Sequence, residues 1–205
     1  MKKILLHPSY FPSIAQMVAV AKAEEIIFEV QDNYQKQTYR NRAYIAHSNG
    51  KLLLNVPIKH TKDGRRQKTI DVRVENDFAW QSHHWKSLQS AYRTSPFFEF
   101  YEDDLEPLFT GPVIGLMEHN LHIFSVLMDL LGIDIPLSKT EAYQTDNSEG
   151  DYRFLIQAKK EKQYGFDQYI QVLVAHHGYL ENLSVLDLLF NEGPNSLSYL
   201  EAQEI

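Results

Sequence analysis

The sequence predicts one mixed domain of the α/β (or α+β) class, and three observations predict it. The N-terminus alternates an apolar run, a loop, an amphipathic stretch and a second apolar run. A basic region then surrounds the pair Asn49-Gly50, and from Trp80 onward apolar residues recur mainly at helical spacing. The expected architecture is an N-terminal β-loop-α-β unit with a mixed sheet, a basic β-hairpin region and a helical C-terminal half. At 205 residues with 43% hydrophobic content, the chain can bury one continuous core, so a single domain over 1–205 is expected.

Lys3 to Leu6 reads as a strand, and Pro8 biases His7 toward an extended conformation, which makes His7 to Pro12 a strand-end loop. Ser13 and Gln16 fit a capping box, and Ile14, Met17, Val18 and Ala21 follow at helical spacing. Glu25 to Val30 supplies a second strand. A parallel β-α-β crossover would leave the His7 loop at a strand's carboxyl end, where open α/β sheets carry their ligands.

Asn49-Gly50 separates Arg42 to Ala46 from Leu52 to Ile58, a strong hairpin signal. Ile70, Val72 and Val74 alternate with polar residues and predict another strand; Gly64 marks a turn before it. Trp85, Leu88 and Tyr92 predict a helix ended by Ser95-Pro96, followed by a second over Phe97 to Leu108. Gly115 to Leu131 reads as a mostly buried helix stopped by Gly132. The polar stretch 138–151 reads as an exposed loop, Phe166 to His177 as a helix stopped by Gly178, and Ser184 as the cap of a last short helix. Tyr152 to Ala158 fits no single period.

The formal charge of −7 conceals a segregation: residues 36–73 carry +8 and the remainder −15. A local positive face on an acidic body attracts phosphate-bearing ligands, although a hydrated Lys/Arg-rich hairpin would look the same. The absence of Cys excludes disulfides, a thiolate nucleophile and every sulfur-bound metal site. The apolar run after Lys2-Lys3 is too short for a signal-peptide core, and no membrane-length apolar stretch occurs, so a cytoplasmic location without membrane association is expected.

His7 is the first candidate for chemistry, since imidazole titrates near neutrality and serves as acid, base or phosphate donor; the alternative is a structural hydrogen bond closing a strand end. The second is Gln31 to Arg42. In an extended conformation Lys36, Thr38, Arg40 and Arg42 would share one face, with Arg40 and Arg42 as bidentate anchors for a charged group. Otherwise the segment is a hydrated face with Tyr39 packed beneath it. The third is Trp80-Gln81-Ser82-His83-His84-Trp85-Lys86, at a helix start that favours anions. His7, Asp32 and His84 could suit a divalent metal chemically, but no spacing ties them together and no metal is assigned. His119-x-x-His122 reads as packing, and His176-His177 as stabilisation of a helix C-terminus. Gly-x-Gly-x-x-Gly, Gly-x-x-x-x-Gly-Lys-Ser/Thr and Gly-x-Ser-x-Gly are all absent, so no cofactor is specified.

Taken together, His7-Pro8-Ser9-Tyr10-Phe11-Pro12, Lys36 to Arg42, Leu54-Asn55-Val56-Pro57, the Trp80 and His84 region and Tyr92-Arg93-Thr94-Ser95-Pro96-Phe97-Phe98 resemble the WbqC-like protein family. The resemblance covers roughly residues 4 to 200, and Asn182 to Phe190 is similar to the form found in Bacteroidetes-type bacteria. The family's opening usually reads His-Gln-Pro-x-Tyr-x-Pro-Trp; this chain lacks the Gln and has Ser13 in place of the Trp.

The resemblance implies a link to surface polysaccharides, and some members carry the label of a glycine (aminoacyl) transferase. The expectation is a transferase-type enzyme modifying a nucleotide-activated or polysaccharide-linked sugar. Its catalytic residues would be His7, Tyr10 and His84, and its substrate-binding residues Lys36, Tyr39, Arg40, Asn41, Arg42, Trp85 and Tyr92. The expected partner is a phosphate-bearing small molecule or nucleotide sugar. The alternative is a non-catalytic binding or scaffold protein with an anionic partner; single-stranded nucleic acid, stacked on Tyr34, Tyr39 and Tyr44, is a further one that the acidic remainder disfavours.

Overall fold

The computed structural model describes residues 2–59, 66–145, 150–159 and 162–205. Gly64 lies outside the described residues, as do 146–149 of the expected exposed loop. The fold is mixed α/β, with one parallel and one antiparallel sheet and a helical C-terminal half.

Strands β1 (Lys3–Leu6) and β2 (Glu25–Phe28) flank helix α1 (Ile14–Ala21) and pair in parallel, Leu5 opposite Ile27. Ser13 caps α1 by accepting the Gln16 N–H, as the capping box predicts. The reciprocal half is absent. The Gln16 side chain instead donates Nε2–H to the His7 carbonyl at 2.8 Å and accepts from Ser9 Oγ at 2.5 Å, which fastens the strand-end loop to the helix.

Strands β3 (Arg42–His47) and β4 (Gly50–Asn55) form the expected antiparallel hairpin, and Gly50 takes φ +107 at its turn. Helices α2 (Trp80–Tyr92), α3 (Phe98–Leu105) and α4 (Pro107–Thr110) follow. The helix expected over Phe97 to Leu108 is divided, because Pro107 lacks the N–H that would continue α3. Helix α5 (Leu116–Leu131) ends at Gly132, whose φ of +69 is the left-handed conformation that releases a helix.

Strand β5 (Leu137–Lys139) then joins the edge of β2 in parallel, so part of the segment expected to be loop is sheet. Its three exposed residues carry no alternation from which a strand could be read. Residues 150–152 add a short parallel pairing on the other side of β1: Leu5 N–H donates to the Gly150 carbonyl and Tyr152 N–H to the Leu5 carbonyl. Gly150 is required there, since its φ is +95 and a Cβ would lie 2.3 Å from the Lys3 carbonyl oxygen.

Helices α6 (Val174–His177), α7 (Val185–Glu192) and α8 (Ser196–Ala202) complete the chain. The helix expected over Phe166 to His177 is reduced to α6. Upstream of it, the backbone N–H groups of Phe166, Asp167 and Val172 donate to the side chains of Glu181, Gln203 and Asn191 instead of to helical carbonyls. The strand expected over Ile70 to Val74 is likewise replaced by a 3-10 turn, Thr69–Asp71. Val72 and Val74 are buried and Ile70 is exposed, and beyond the turn the segment pairs only through isolated antiparallel bridges, Arg73 with Gly115 and Val74 with Ile58.

The buried apolar side chains form one cluster from Ile4 to Leu200. Asp187 is buried within it and accepts from Tyr92 Oη at 2.8 Å, from Gln171 Nε2 at 2.9 Å and from the Tyr169 hydroxyl. Among the described residues no helix is long and apolar enough to cross a membrane.

Candidate functional site

All four parallel segments end on the same side, so their carboxyl ends define one crevice. It is built from His7 after β1, Glu29 and Asp32 after β2, Thr140 and Tyr143 after β5, and Asp151 and Arg153 on the edge segment. A cavity of about 380 Å³ opens there, bordered by His7, Arg40, Tyr143, Asp151, Arg153 and Phe154 among others. A second of about 590 Å³ shares His7, Gln35 and Tyr143 with it and continues past Asp32, Tyr34 and Arg66. His7 stands where the two meet.

The floor of the crevice is charged and compensated. Arg40 is only 1% exposed; its Nη2 donates to Asp32 Oδ2 at 2.5 Å and its Nη1 to Thr38 Oγ1 at 3.2 Å. Arg153 grips Asp151 through Nε to Oδ1 at 2.9 Å and Nη2 to Oδ2 at 2.6 Å, the bidentate geometry that suits guanidinium and carboxylate. Glu29 is fully buried behind it. Its carboxylate accepts from the Gln31 and Gln144 N–H groups and from Thr140 Oγ1, and it lies 3.7 Å from Arg153 Nη1.

His7 Nδ1 lies 3.7 Å from Asp32 Oδ2, but this contact is not an ion pair. Burial, reinforced by the positive charge of Arg40, lowers the His7 pKa to about 3, so the ring is neutral at physiological pH. Three buried atoms meet here without a hydrogen-bond partner: His7 Nδ1, Asp32 Oδ1 and Arg40 Nε. An isolated orphan of this kind costs about 1–3 kcal/mol, so three gathered where the two cavities meet mark a surface shaped for a polar guest.

The loop above is strained. Phe11 adopts φ +42 although it carries a Cβ, and it is held there by complete burial and stacking on Phe109 at 5.3 Å.

The remaining expected site residues are distributed between core and surface. Tyr10 is fully buried and contacts His84 Nδ1 at 2.8 Å, with Trp80 and His119 against its ring. Burial raises the Tyr10 pKa well above its usual value and lowers that of His84 to about 4, so both are neutral and the hydroxyl donates to the imidazole. Trp85 stacks between Phe98 and Phe109, and Tyr92 bonds Asp187 and the Ala46 N–H. None of Tyr10, His84, Trp85 and Tyr92 borders the His7 cavities. Tyr39 is buried edge-on to Tyr44, and its backbone ties the His7 loop to Ile156. Asn41 holds the Val56 carbonyl.

The shared face expected of Lys36, Thr38, Arg40 and Arg42 does not form. Gln37 takes φ +61, which breaks the extended conformation and with it the alternation. Thr38 and Arg40 turn into the crevice floor, whereas Lys36 and Arg42 line a separate recess with Tyr34, Gln37, Asn41 and Asn55.

The structure adds Asp151, Arg153, Glu29, Tyr143 and Phe154 to the site. The Asp-x-Arg spacing was the one local sign of the first two. Among the described residues no group of three His, Asp or Glu side chains could hold a metal ion. His84, expected as a possible third member with His7 and Asp32, has its Nδ1 engaged by Tyr10.

Fold and site together define a mixed α/β protein with a polar, charge-compensated crevice at the carboxyl ends of a parallel sheet. The chain belongs to the WbqC-like protein family, whose profile matches residues 7–178. It is also 24% identical over 228 residues to Uncharacterized protein Rv1507c of Mycobacterium tuberculosis (strain ATCC 25618 / H37Rv), covering 98% of each chain. No solved structure matches it.

Proposed function

We propose that this protein is a transferase-type enzyme that modifies a nucleotide-activated or polysaccharide-linked sugar, with aminoacyl transfer as one form of the reaction and the His7 crevice as its site. The observation that carries the reading is the group of orphaned polar atoms on His7, Asp32 and Arg40 where the two cavities meet, Arg40 bordering the first, Asp32 the second and His7 both.

In this reading a substrate hydroxyl or amine gives its proton to His7 as its oxygen or nitrogen bonds the transferred group. The bond from that group to its carrier breaks, and the carrier leaves with the electron pair. A ring whose pKa is lowered to about 3, first by burial and then by the charge of Arg40, is a weak base. Arg40 and Arg153 orient the substrate; Tyr10 and His84 support the loop from behind.

The protein is further proposed to work in the cytoplasm as one domain and, from Asn182 to Phe190, to represent the Bacteroidetes form of the family. The test is a thermal-shift screen of sugar nucleotides on the wild type and on His7→Ala. A stabilising sugar nucleotide whose effect disappears in His7→Ala is expected. Identical shifts in the two proteins, or none with any compound, would remove the proposal in favour of a non-catalytic binding protein.

A further inference from the structure

The cationic residues of the His7 crevice and of the recess beside it differ in electrostatic standing. At the floor of the His7 crevice Arg40 is neutralised by Asp32 and the half-buried Arg153 by Asp151 with Glu29 behind it, while the exposed Arg66 stands at the edge of the larger cavity. The neighbouring recess of about 400 Å³ contains Lys36 and Arg42, and no carboxylate lines it. Neither cation has an ion-pair partner among the described residues. Arg42 Nε and Asn41 Oδ1 are both buried and without a hydrogen-bond partner. A site of paired charges offers donors and acceptors without net charge, whereas unpaired cations beside an unpaired acceptor fit an anion with a hydroxyl near it.

The two spaces are neighbours: Tyr34 borders both the recess and the larger His7 cavity. The positive charges of Arg40 and Arg42 both act on its hydroxyl, so both arginines lie near it. At the far end of the crevice, Tyr143 and Phe154 leave 53% and 55% of their surface exposed on the rim. Exposed aromatic faces above charge-compensated polar groups are suited to a hydroxylated ring, whose C–H face packs on the aromatic while its hydroxyls bond the polar floor.

We propose that the Lys36–Arg42 recess is a separate anion subsite that holds the phosphate or diphosphate of an extended substrate, while the compensated His7 crevice takes its uncharged sugar. This deepens the proposed function and rests on it for the chemistry at His7. It fixes the direction of the substrate: phosphate beside Arg42, the chain passing Tyr34, the sugar against Tyr143 and Phe154.

The probe is inorganic pyrophosphate, titrated at low salt into the folded wild type, Arg42→Gln, Lys36→Gln and, as a control of equal charge change on an exposed helix position, Lys86→Gln. The wild type is expected to bind. Affinity should fall roughly tenfold or more in Arg42→Gln, by a smaller factor in exposed Lys36→Gln, and by less than about twofold in Lys86→Gln. Equal losses in all three variants, or no binding by the wild type, would overturn the subsite. Sugar nucleotides that bind through His7 without dependence on Arg42 would also overturn it, and would leave the proposed function standing. Pyrophosphate bound through Arg42, with no sugar nucleotide bound or turned over, would sustain the anion subsite and remove the transfer reaction instead.

Discussion

Gln16 Nε2 donates to the His7 backbone carbonyl at 2.8 Å, and the same amide accepts from Ser9 Oγ, so one side chain of α1 determines where the His7 loop stands. A residue that begins as the N3 position of a helix cap has been diverted to the neighbouring loop. Replacing Gln16 by Leu keeps approximate volume and leaves two buried polar groups unpaired. A loss of about 2–4 kcal/mol in urea denaturation is expected. A loss below about 1 kcal/mol would mean that the loop is held by packing alone.

His7, His84 and His119 are all buried with pKa values lowered to about 3, 4 and 4, burial being the largest cause in each. A histidine whose folded pKa lies below its unfolded value of about 6.5 contributes stability that is complete above pH 6.5 and is lost as pH falls toward the folded pKa. Each contributes at most about 1.4 kcal/mol per pH unit within that window. Stability should therefore decline from pH 6.5 to 4, and the decline should be shallower in His7→Gln. NMR of the imidazole protons should show no titration of these three rings between pH 5.5 and 8, a range in which an ordinary histidine titrates. A midpoint near 6.5 for His7 would contradict its assignment as a neutral ring.

Asp187 is a buried carboxyl served by three donors, and through Tyr92 and Gln171 it joins α7 to α2 and to the irregular segment before α6. Burial raises its pKa, although the donors oppose the shift. Removing the acceptor strands the Tyr92 and Tyr169 hydroxyls, while Gln171 Nε2 keeps the Leu180 carbonyl, so Asp187→Ala should cost about 3–5 kcal/mol, whereas Tyr169→Phe should cost about 1–2. Thermal denaturation of the two variants orders them directly, and an equal or reversed order would show that the carboxyl is not the hub.

Gly150→Ala introduces a Cβ at 2.3 Å from the Lys3 carbonyl in a backbone conformation that alanine avoids. Asp151 and Arg153 depend on this pairing for their place in the crevice. Amide exchange should accelerate at Leu5, whose N–H donates to the Gly150 carbonyl, while the β3–β4 hairpin keeps its protection. Unchanged exchange at Leu5 would show that the edge pairing is not needed for the fold of β1.

Much of the N-terminal architecture could be read locally. Strand β1, the Ser13 cap, α1 and β2 each follow from apolar spacing and a capping residue, and the Asn49-Gly50 hairpin from turn chemistry. The crevice itself was only half legible. His7 and Arg40 stood out by residue type, but Asp151 and Arg153 reach the site through a pairing between Leu5 and Asp151, about 146 positions apart in the chain, which no local pattern encodes. Tyr10 and His84 illustrate the converse. They were identified as chemically capable residues, and sequence spacing does not distinguish a side chain facing a cavity from one enclosed by Trp80 and His119. The irregular 166–173 segment was unreadable for a related reason: its backbone is satisfied by side chains brought from Glu181, Asn191 and Gln203.

The measurement that bears most directly on the site is a crystal structure of the protein with a nucleotide sugar that stabilises it. The ligand is expected to lie across the carboxyl ends of β1 and β2, with its sugar within hydrogen-bond distance of His7 and its phosphate beside Arg42. A ligand bound elsewhere, with His7 Nδ1, Asp32 Oδ1 and Arg40 Nε still unpartnered beneath an empty crevice, would contradict the account.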